Sequence, residues 1–121
     1  MITLKTLPQA TAQQVFDQVA QHLLTQMQRS VNSEHIGGDN CMYRSGNLKC
    51  AAGCLIGDDE YKEEFEGKTW MRLRKQGDVP SEHLALIIEL QRIHDNSPPR
   101  TWADQLKNIG VKFNLQFNPP S

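Results

Sequence analysis

The chain has 121 residues, and its 13 Lys and Arg residues against 14 Asp and Glu residues give a formal net charge of −1. This length suits one globular domain over residues 1–121, and the near-neutral charge argues against a protein that coats nucleic acid, because such binding needs a clear excess of Lys and Arg. No apolar stretch reaches the roughly 18 residues of a membrane span, and the N-terminus lacks the apolar segment of a signal peptide. We therefore expect a cytoplasmic protein without a membrane partner.

The N-terminal part of the sequence predicts an amphipathic helix. Thr11 suits the N-cap position, and Gln14 completes a capping-box pattern. From about Ala12 to Val31, apolar residues recur at helical spacing and polar residues occupy the opposite side. We expect this helix to lie on the core, with His22 at the edge of its apolar face.

The middle of the chain predicts a loop, a β-hairpin and a strongly charged segment. After the loop, two short segments flank Gly46 and Asn47, and glycine at the first loop position suits a type II′ turn. Residues 58–66 hold six acids and one lysine, a charge of −5, whereas residues 68–75 hold four basic residues and no acid, a charge of +4. The acids predict a short helix from Asp58 to Phe65, because a helix dipole favours negative charge at the N-terminus.

The most apolar helix is predicted from about Glu82 to Asp95, with Ser81 as its N-cap, and it should be central to the fold. His83 and His94 both lie within its apolar arc, but they are about 16 Å apart along the axis and cannot share a metal ion. We expect each imidazole to hydrogen-bond a backbone carbonyl or a side chain. The alternative is that His94 lines a pocket.

The C-terminal part predicts one more helix and then a strand. Pro98 and Pro99 start a helix that should end near Gly110, and the alternation of apolar and polar residues from Val111 to Phe117 is typical of a strand. The expected fold is α+β, a helix-dominated single domain with a small antiparallel sheet built from the hairpin and this C-terminal strand. A terminal strand also makes a homodimer conceivable.

The three cysteines, Cys41, Cys50 and Cys54, offer several kinds of chemistry. An odd number of cysteines without an export signal favours reduced, packed thiols over a disulfide framework. Together with His35 they could make a structural zinc site, although no C-x-x-C knuckle is present, and a disulfide between Cys41 and Cys50 is the remaining alternative. We expect no cofactor and treat these metal ligands as weak candidates.

Catalysis by a cysteine is the main enzymatic alternative. Cys50 or Cys54 could begin a short helix, and His94 could activate the thiolate. Asp95 is a poor orienting group for this histidine, since neighbouring residues on a helix point about 100° apart. The catalytic residues are therefore open, with Cys50, Cys54 and His94 as candidates.

A set of cationic and aromatic residues could instead hold an anionic ligand. Arginine binds phosphates bidentately and aromatic rings stack on bases, so a nucleotide-like molecule is a candidate ligand. The alternative is a solvated basic face that pairs with the acids of residues 58–66, and no glycine-rich phosphate loop accompanies the set. The ligand-binding candidates are Tyr43, Arg44, Lys49, His94 and Trp102.

The stretch from Cys41 to Ile56, with its CMYR-x3-LKCAAGCLI pattern, resembles the signature of a family of small uncharacterised proteins from tailed phages and bacteria. Residues 15–26, 90–95 and 102–109 resemble the same family. The resemblance implies a phage or prophage origin and one compact domain. It implies no catalytic residues.

Three functions follow as hypotheses. The leading one is a non-enzymatic phage or bacterial accessory protein, such as a counter-defence protein, that binds another protein or a small anionic ligand, because the sequence holds no coherent catalytic set. The alternatives are a cysteine-dependent hydrolase and a zinc-stabilised interaction module.

Overall fold

The computed structural model describes residues 1–31 and 41–119. These residues form four α-helices and one two-stranded hairpin: α1 (Ala12–Gln26), β1 (Arg44–Ser45), β2 (Leu48–Lys49), α2 (Trp70–Lys75), α3 (Leu84–Asn96) and α4 (Trp102–Phe113). Short 3-10 helices lie at Leu7–Gln9, Ala52–Leu55, Glu63–Phe65 and Pro99–Thr101. The expected α+β class with predominant helix is confirmed.

Helix α1 begins as predicted and ends earlier than predicted. Thr11 and Gln14 form the capping box, each side chain accepting a hydrogen bond from the other residue's backbone N–H. The helix stops at Gln26 because Met27 adopts the left-handed conformation, with φ of 48°. Its buried face carries Val15, Phe16, Val19, Ala20 and Leu23.

The hairpin has the predicted register. Arg44 pairs with Lys49 and Ser45 with Leu48, and the two loop residues between the strands begin with Gly46 at φ of 61°. A type II′ turn has a positive φ at its first loop residue and not at its second, so this geometry fits the predicted turn. Tyr43 therefore lies opposite Cys50, and the Cys50 N–H donates to the Tyr43 carbonyl.

The charged segment after the hairpin differs from its prediction. No continuous helix runs from Asp58 to Phe65; a turn is followed by the 3-10 helix at Glu63–Phe65. Five of the eight residues from 58 to 65 are acidic, and the dipole of so short a helix cannot offset their repulsion. Helix α2, which was not predicted, begins at Trp70 after Thr69, whose side chain accepts a hydrogen bond from the Arg72 N–H.

Helix α3 begins at Leu84 rather than at Glu82, and Ser81 is not its N-cap. His83 holds the N-cap position in the left-handed conformation, with φ of 62°. Its Nε2 lies 2.7 Å from the Ala10 carbonyl oxygen, which ties the start of α3 to the segment before α1. The expected backbone hydrogen bond of His83 is thus present. The prediction that His83 lies within the apolar face of the helix was wrong, because the residue precedes the helix.

The C-terminal strand is absent from the described residues. Helix α4 continues through Gly110 to Phe113 and ends at Asn114, which is left-handed with φ of 58°, and the Leu115 N–H donates to the Gly110 carbonyl over 2.7 Å. The chain then packs back on α1, where the Phe117 ring lies 6.4 Å from that of Phe16. The strand that was predicted to mediate a homodimer is therefore not formed by these residues, and a homodimer itself stays a prediction.

Helix α3 is central, as expected, since it contacts α1, α2, α4 and the 3-10 helix at Ala52–Leu55. Its buried residues are Leu86, Ile87, Leu90, Ile93 and His94. In residues 1–31 and 41–119, every helix is too short or too polar to cross a lipid bilayer.

Candidate functional site

A cavity of about 560 Å³ opens between α3, the start of α2 and the segment that leads into the hairpin. This volume lies within the range of small-molecule sites. Most of the surface that lines the cavity is apolar. The lining residues are Cys41, Met42, Tyr43, Cys50, Gly67, Lys68, Thr69, Trp70, Met71, Ile88, Gln91, Arg92 and Asp95.

Trp70 is the distinctive residue of this cavity. It is the first residue of α2 and is only 2% exposed, yet its Nε1 has no hydrogen-bond partner in the described part of the chain. Its ring lies 6.3 Å from the ring of Tyr43, whose hydroxyl donates to the Lys68 carbonyl over 2.6 Å. A buried donor without an acceptor is costly. The nitrogen itself has almost no accessible surface, so a ligand oxygen or nitrogen would stabilise it only once a side chain of the wall moves to uncover it.

The charged groups of the cavity are two cations and one acid. The Arg92 side chain is 67% exposed, and its only described ion pair is a long one, 3.7 Å from Glu89, which Lys112 contacts at 2.8 Å. Lys68 forms no described ion pair. The Asp95 carboxylate, by contrast, accepts hydrogen bonds from Gln91 and His94, each over 2.8 Å.

The hydrogen bonds of His94 fix its protonation pattern. The Ser30 N–H donates to Nε2 over 2.9 Å, so this nitrogen carries the lone pair, and Nδ1–H donates to Asp95. The ring is fully buried and stacks on Trp102 with centroids 5.7 Å apart. Both nitrogens are therefore occupied, and His94 lies behind the cavity wall rather than in the lining.

Cys41 lies beside His94 and Asp95, with its Sγ within 4.8 Å of their ligand atoms. Its Sγ accepts a hydrogen bond from Arg29 over 3.2 Å, and Arg29 also donates to the Asp95 carbonyl over 2.6 Å. Burial and the nearby Asp95 carboxylate raise the pKa of the Cys41 thiol, while the Arg29 guanidinium opposes that shift. The thiol is thus held in its protonated, weakly nucleophilic form at neutral pH.

The described residues contain one group that could be considered as a metal site. Ligand atoms of Cys41, His94 and Asp95 lie within 4.8 Å of one another. A metal at Nδ1 of His94 would move the imidazole proton to Nε2, where it would face the Ser30 N–H donor. The hydrogen bond from Ser30 does not fit a metal-bound histidine.

The zinc ligands predicted from the sequence do not come together as a set. Cys50 and Cys54 belong to no metal-binding group among residues 1–31 and 41–119, and His35 lies outside the described residues. The described geometry gives the zinc hypothesis no support.

Cys50 and Cys54 lie in the turn after the hairpin, and among the described hydrogen bonds neither is joined to His94. The Cys50 Sγ accepts a hydrogen bond from the Gly53 N–H over 3.2 Å, and the Cys54 thiol donates to the Ala51 carbonyl over 3.1 Å. Burial raises the pKa of both thiols, that of Cys54 to about 12. Neither cysteine has the activated thiolate that a hydrolase requires.

We expect Cys50 to resist alkylation by iodoacetamide in the native protein, because its side chain is buried and its thiol is protonated at neutral pH. Peptide mass spectrometry would measure labelling with and without denaturant, and the half-exposed Cys41 serves as the internal reference. Native labelling of Cys50 that is as fast as in denaturant would contradict this arrangement.

The predicted anion-binding cations serve the hairpin instead. Arg44 pairs with Asp58 at 2.8 Å, donates to the Ile56 carbonyl over 2.7 Å and lies over the Tyr61 ring at 4.9 Å. Lys49 lies 3.8 Å from the same Asp58 carboxylate. These contacts match the alternative in which basic residues pair with the acidic segment.

Trp102 is a core residue. It is fully buried, and its Nε1–H donates to the Ser97 carbonyl over 3.0 Å.

Of the five ligand-binding candidates, only Tyr43 lines the cavity. The sequence-based site candidates did not include Trp70, Met42, Ile88, Gln91 or Arg92. A threonine N-cap directly before Trp70 was a sequence signal for α2.

His22 also lies outside the cavity. Its side chain is half-buried, and its Nε2 lies 2.8 Å from the Lys49 carbonyl oxygen, so the ring joins α1 to the hairpin. Burial lowers the pKa of His22 more strongly than this carbonyl raises it. Protonation of the ring therefore costs more in the folded than in the unfolded protein.

We expect the stability contribution of neutral His22 to be complete above the unfolded-state pKa of about 6.5 and to be lost as the pH falls through the lower, folded-state pKa. Urea unfolding curves at pH values on both sides of this range would measure the loss. Replacement His22→Gln keeps an N–H donor for Lys49 and removes the titration, so its stability should fall less on acidification. An equal fall in both proteins would contradict the assignment.

Comparison of the chain with protein-family models, with curated protein sequences and with solved structures gives no match in any of the three. The resemblance to the phage family stays a prediction.

Proposed function

We propose that the protein is a non-enzymatic binding protein that holds a small molecule in the cavity bordered by Trp70. The observation that carries the proposal is the buried Trp70 Nε1, which lacks an acceptor in the described chain and belongs to a residue of the cavity wall. The apolar lining and the few polar groups at its edge match the usual composition of small-molecule sites. The proposal keeps small-molecule binding from the leading hypothesis, but the site is the cavity beside Trp70 and not the predicted set around Arg44 and Lys49.

The absence of catalysis in this proposal follows from how the reactive groups are used. His94 has both ring nitrogens engaged, by Ser30 and Asp95, and no thiol hydrogen-bonds to it among the described contacts. Cys41 is the half-exposed cysteine of the cavity, and its thiol has a raised pKa. A cavity that binds without activating a nucleophile suits a carrier, a sensor or a sponge for a small molecule.

The proposal includes a phage or bacterial origin and a cytoplasmic location. A phage or bacterial accessory protein that works in the cytoplasm, for instance in counter-defence, could act by sequestering a small signalling molecule. A protein partner remains the alternative target.

A fragment library of mixed charge, screened by ligand-observed NMR, tests the function. We expect hits that lose binding when Ile88→Phe fills the cavity, because Ile88 lines it and is only half-buried. Val111→Phe is the matched control, since Val111 is 79% exposed and lies elsewhere on α4. No hits, or hits that Ile88→Phe leaves unchanged, would overturn the proposal.

A further inference from the structure

The polar groups around the cavity define the chemistry of a ligand. We infer that the cavity takes a planar aromatic anion whose ring carries a hydrogen-bond acceptor. This inference rests on the proposed function and specifies its ligand class. Three features of the wall lead to it: a buried donor without a partner, a pair of aromatic rings and an excess of positive charge.

The Trp70 Nε1–H has no acceptor among residues 1–31 and 41–119, so a ligand with an acceptor would satisfy it. Two buried side-chain nitrogens lack a partner in the described residues, Arg44 Nε and Trp70 Nε1, and only Trp70 lines the cavity. The neighbouring donors are already engaged, since Gln91 Nε2 donates to Asp95 and the Tyr43 hydroxyl to the Lys68 carbonyl. An acceptor in the aromatic plane of a ligand would therefore gain a buried hydrogen bond once a side chain of the wall moves to uncover the Trp70 nitrogen.

The shape and polarisability of the wall favour a flat ring. The rings of Tyr43 and Trp70 are tilted by 57°, and the thioethers of Met42 and Met71 lie on the same cavity. Aromatic faces and methionine sulfurs pack favourably against aromatic ligands. A volume of about 560 Å³ admits a bicyclic ring with a substituent.

The charge balance favours an anion at the edge of the cavity. Arg92 and Lys68 are positive, whereas Asp95 is the one acid in the lining and already accepts hydrogen bonds from His94 and Gln91. Helix α2, whose first residue is Trp70, carries Arg72, Arg74 and Lys75 in its last turn. A carboxylate or phosphate near Arg92 would complement this field.

Calorimetric titration of the unmodified protein with three matched compounds tests the inference. Cinchoninate is a quinoline ring with a carboxylate opposite its ring nitrogen, naphthoate has the same shape without that nitrogen, and quinoline lacks the carboxylate. We expect cinchoninate to bind about three- to tenfold more tightly than either of the others, which is the effect of one hydrogen bond or one exposed charge contact. Equal affinities would overturn the inference.

The variants Arg92→Gln and Arg100→Gln locate the anion. Arg92→Gln should weaken cinchoninate about threefold or more and leave quinoline unchanged, whereas Arg100, an exposed residue outside the cavity, provides the control. Equal effects of the two variants would contradict the placement. Adenosine monophosphate with adenosine as its neutral control distinguishes a nucleotide source of the anion from an aromatic carboxylate.

The failure of this inference is distinguishable from the failure of the proposed function. If fragments of other chemistry bind in an Ile88→Phe-sensitive manner and the matched compounds do not bind, the cavity binds small molecules but the ligand class is wrong. If no fragment binds, the function itself is wrong.

Discussion

Replacement of Trp102 by alanine is expected to lower the free energy of unfolding by about 3–5 kcal/mol, the cost of removing a large buried aromatic side chain. Trp102 is fully buried at the start of α4, stacks on His94 and donates a hydrogen bond to Ser97. The truncation leaves a hole between α4 and α3 and removes the surface against which the His94 ring is held. Urea unfolding followed by circular dichroism would measure the change.

Trp102→Phe is the matched control for this substitution. Phenylalanine keeps an aromatic ring beside His94 and loses the indole N–H, so we expect a smaller loss of about 1–2 kcal/mol. A loss below about 1 kcal/mol for Trp102→Ala would contradict the assignment of Trp102 to the core and would reopen its predicted role in ligand binding.

Replacement of Glu66 by alanine should cost about 2–3 kcal/mol, because one carboxylate satisfies three donors. Oε1 accepts from the Tyr43 N–H over 2.9 Å, and Oε2 accepts from the Arg44 N–H over 3.1 Å and from the Tyr61 hydroxyl over 2.7 Å. Glu66 thus fixes the first strand of the hairpin and the Tyr43 ring that lines the cavity. Thermal and urea unfolding would both detect the loss.

Two further variants separate this role from a general effect of charge. Glu66→Gln should also destabilise the fold, since its amide nitrogen would meet a backbone N–H in place of one carboxylate oxygen. Glu64→Ala removes an exposed acid from the same segment and should change the stability by less than about 0.5 kcal/mol. Similar losses for Glu64 and Glu66 would show that the three hydrogen bonds do not act as described.

Local chemical signals in the sequence predicted several elements correctly. The capping box of Thr11 and Gln14 sets the start of α1, and Gly46 with Asn47 sets the turn and register of the hairpin. These features depend on residues a few positions apart, so they can be read without the tertiary structure. The packing role of α3 follows equally from its apolar periodicity.

The C-terminal segment shows why periodicity alone can mislead. Val111, Phe113, Leu115 and Phe117 alternate as in a strand, but Gly110 lies inside α4, where Leu115 packs against it. The helix continues to Phe113, and the residues after Asn114 return to α1 as irregular chain. Tertiary packing outweighed the local preference of this segment.

The candidate site was beyond sequence reasoning for a related reason. Its wall joins residues near Cys41, Trp70 and Ile88, which are distant in sequence and meet only through the packing of α2 and the hairpin on α3. The engagement of His94 by the Ser30 N–H, which removes a candidate base, depends on a contact across 64 positions. Composition identified the reactive residue types and could not show which of them were already bonded.

The indole N–H signals of the two tryptophans test the central claim most directly, since Trp70 and Trp102 each contribute one. Trp102→Phe assigns them, and a proton–nitrogen correlation spectrum is then recorded with and without cinchoninate or the best fragment. The account predicts that the Trp70 Nε1–H signal shifts on ligand addition while the Trp102 signal, already bonded to Ser97, stays in place. A bound ligand that leaves the Trp70 signal unmoved would contradict it.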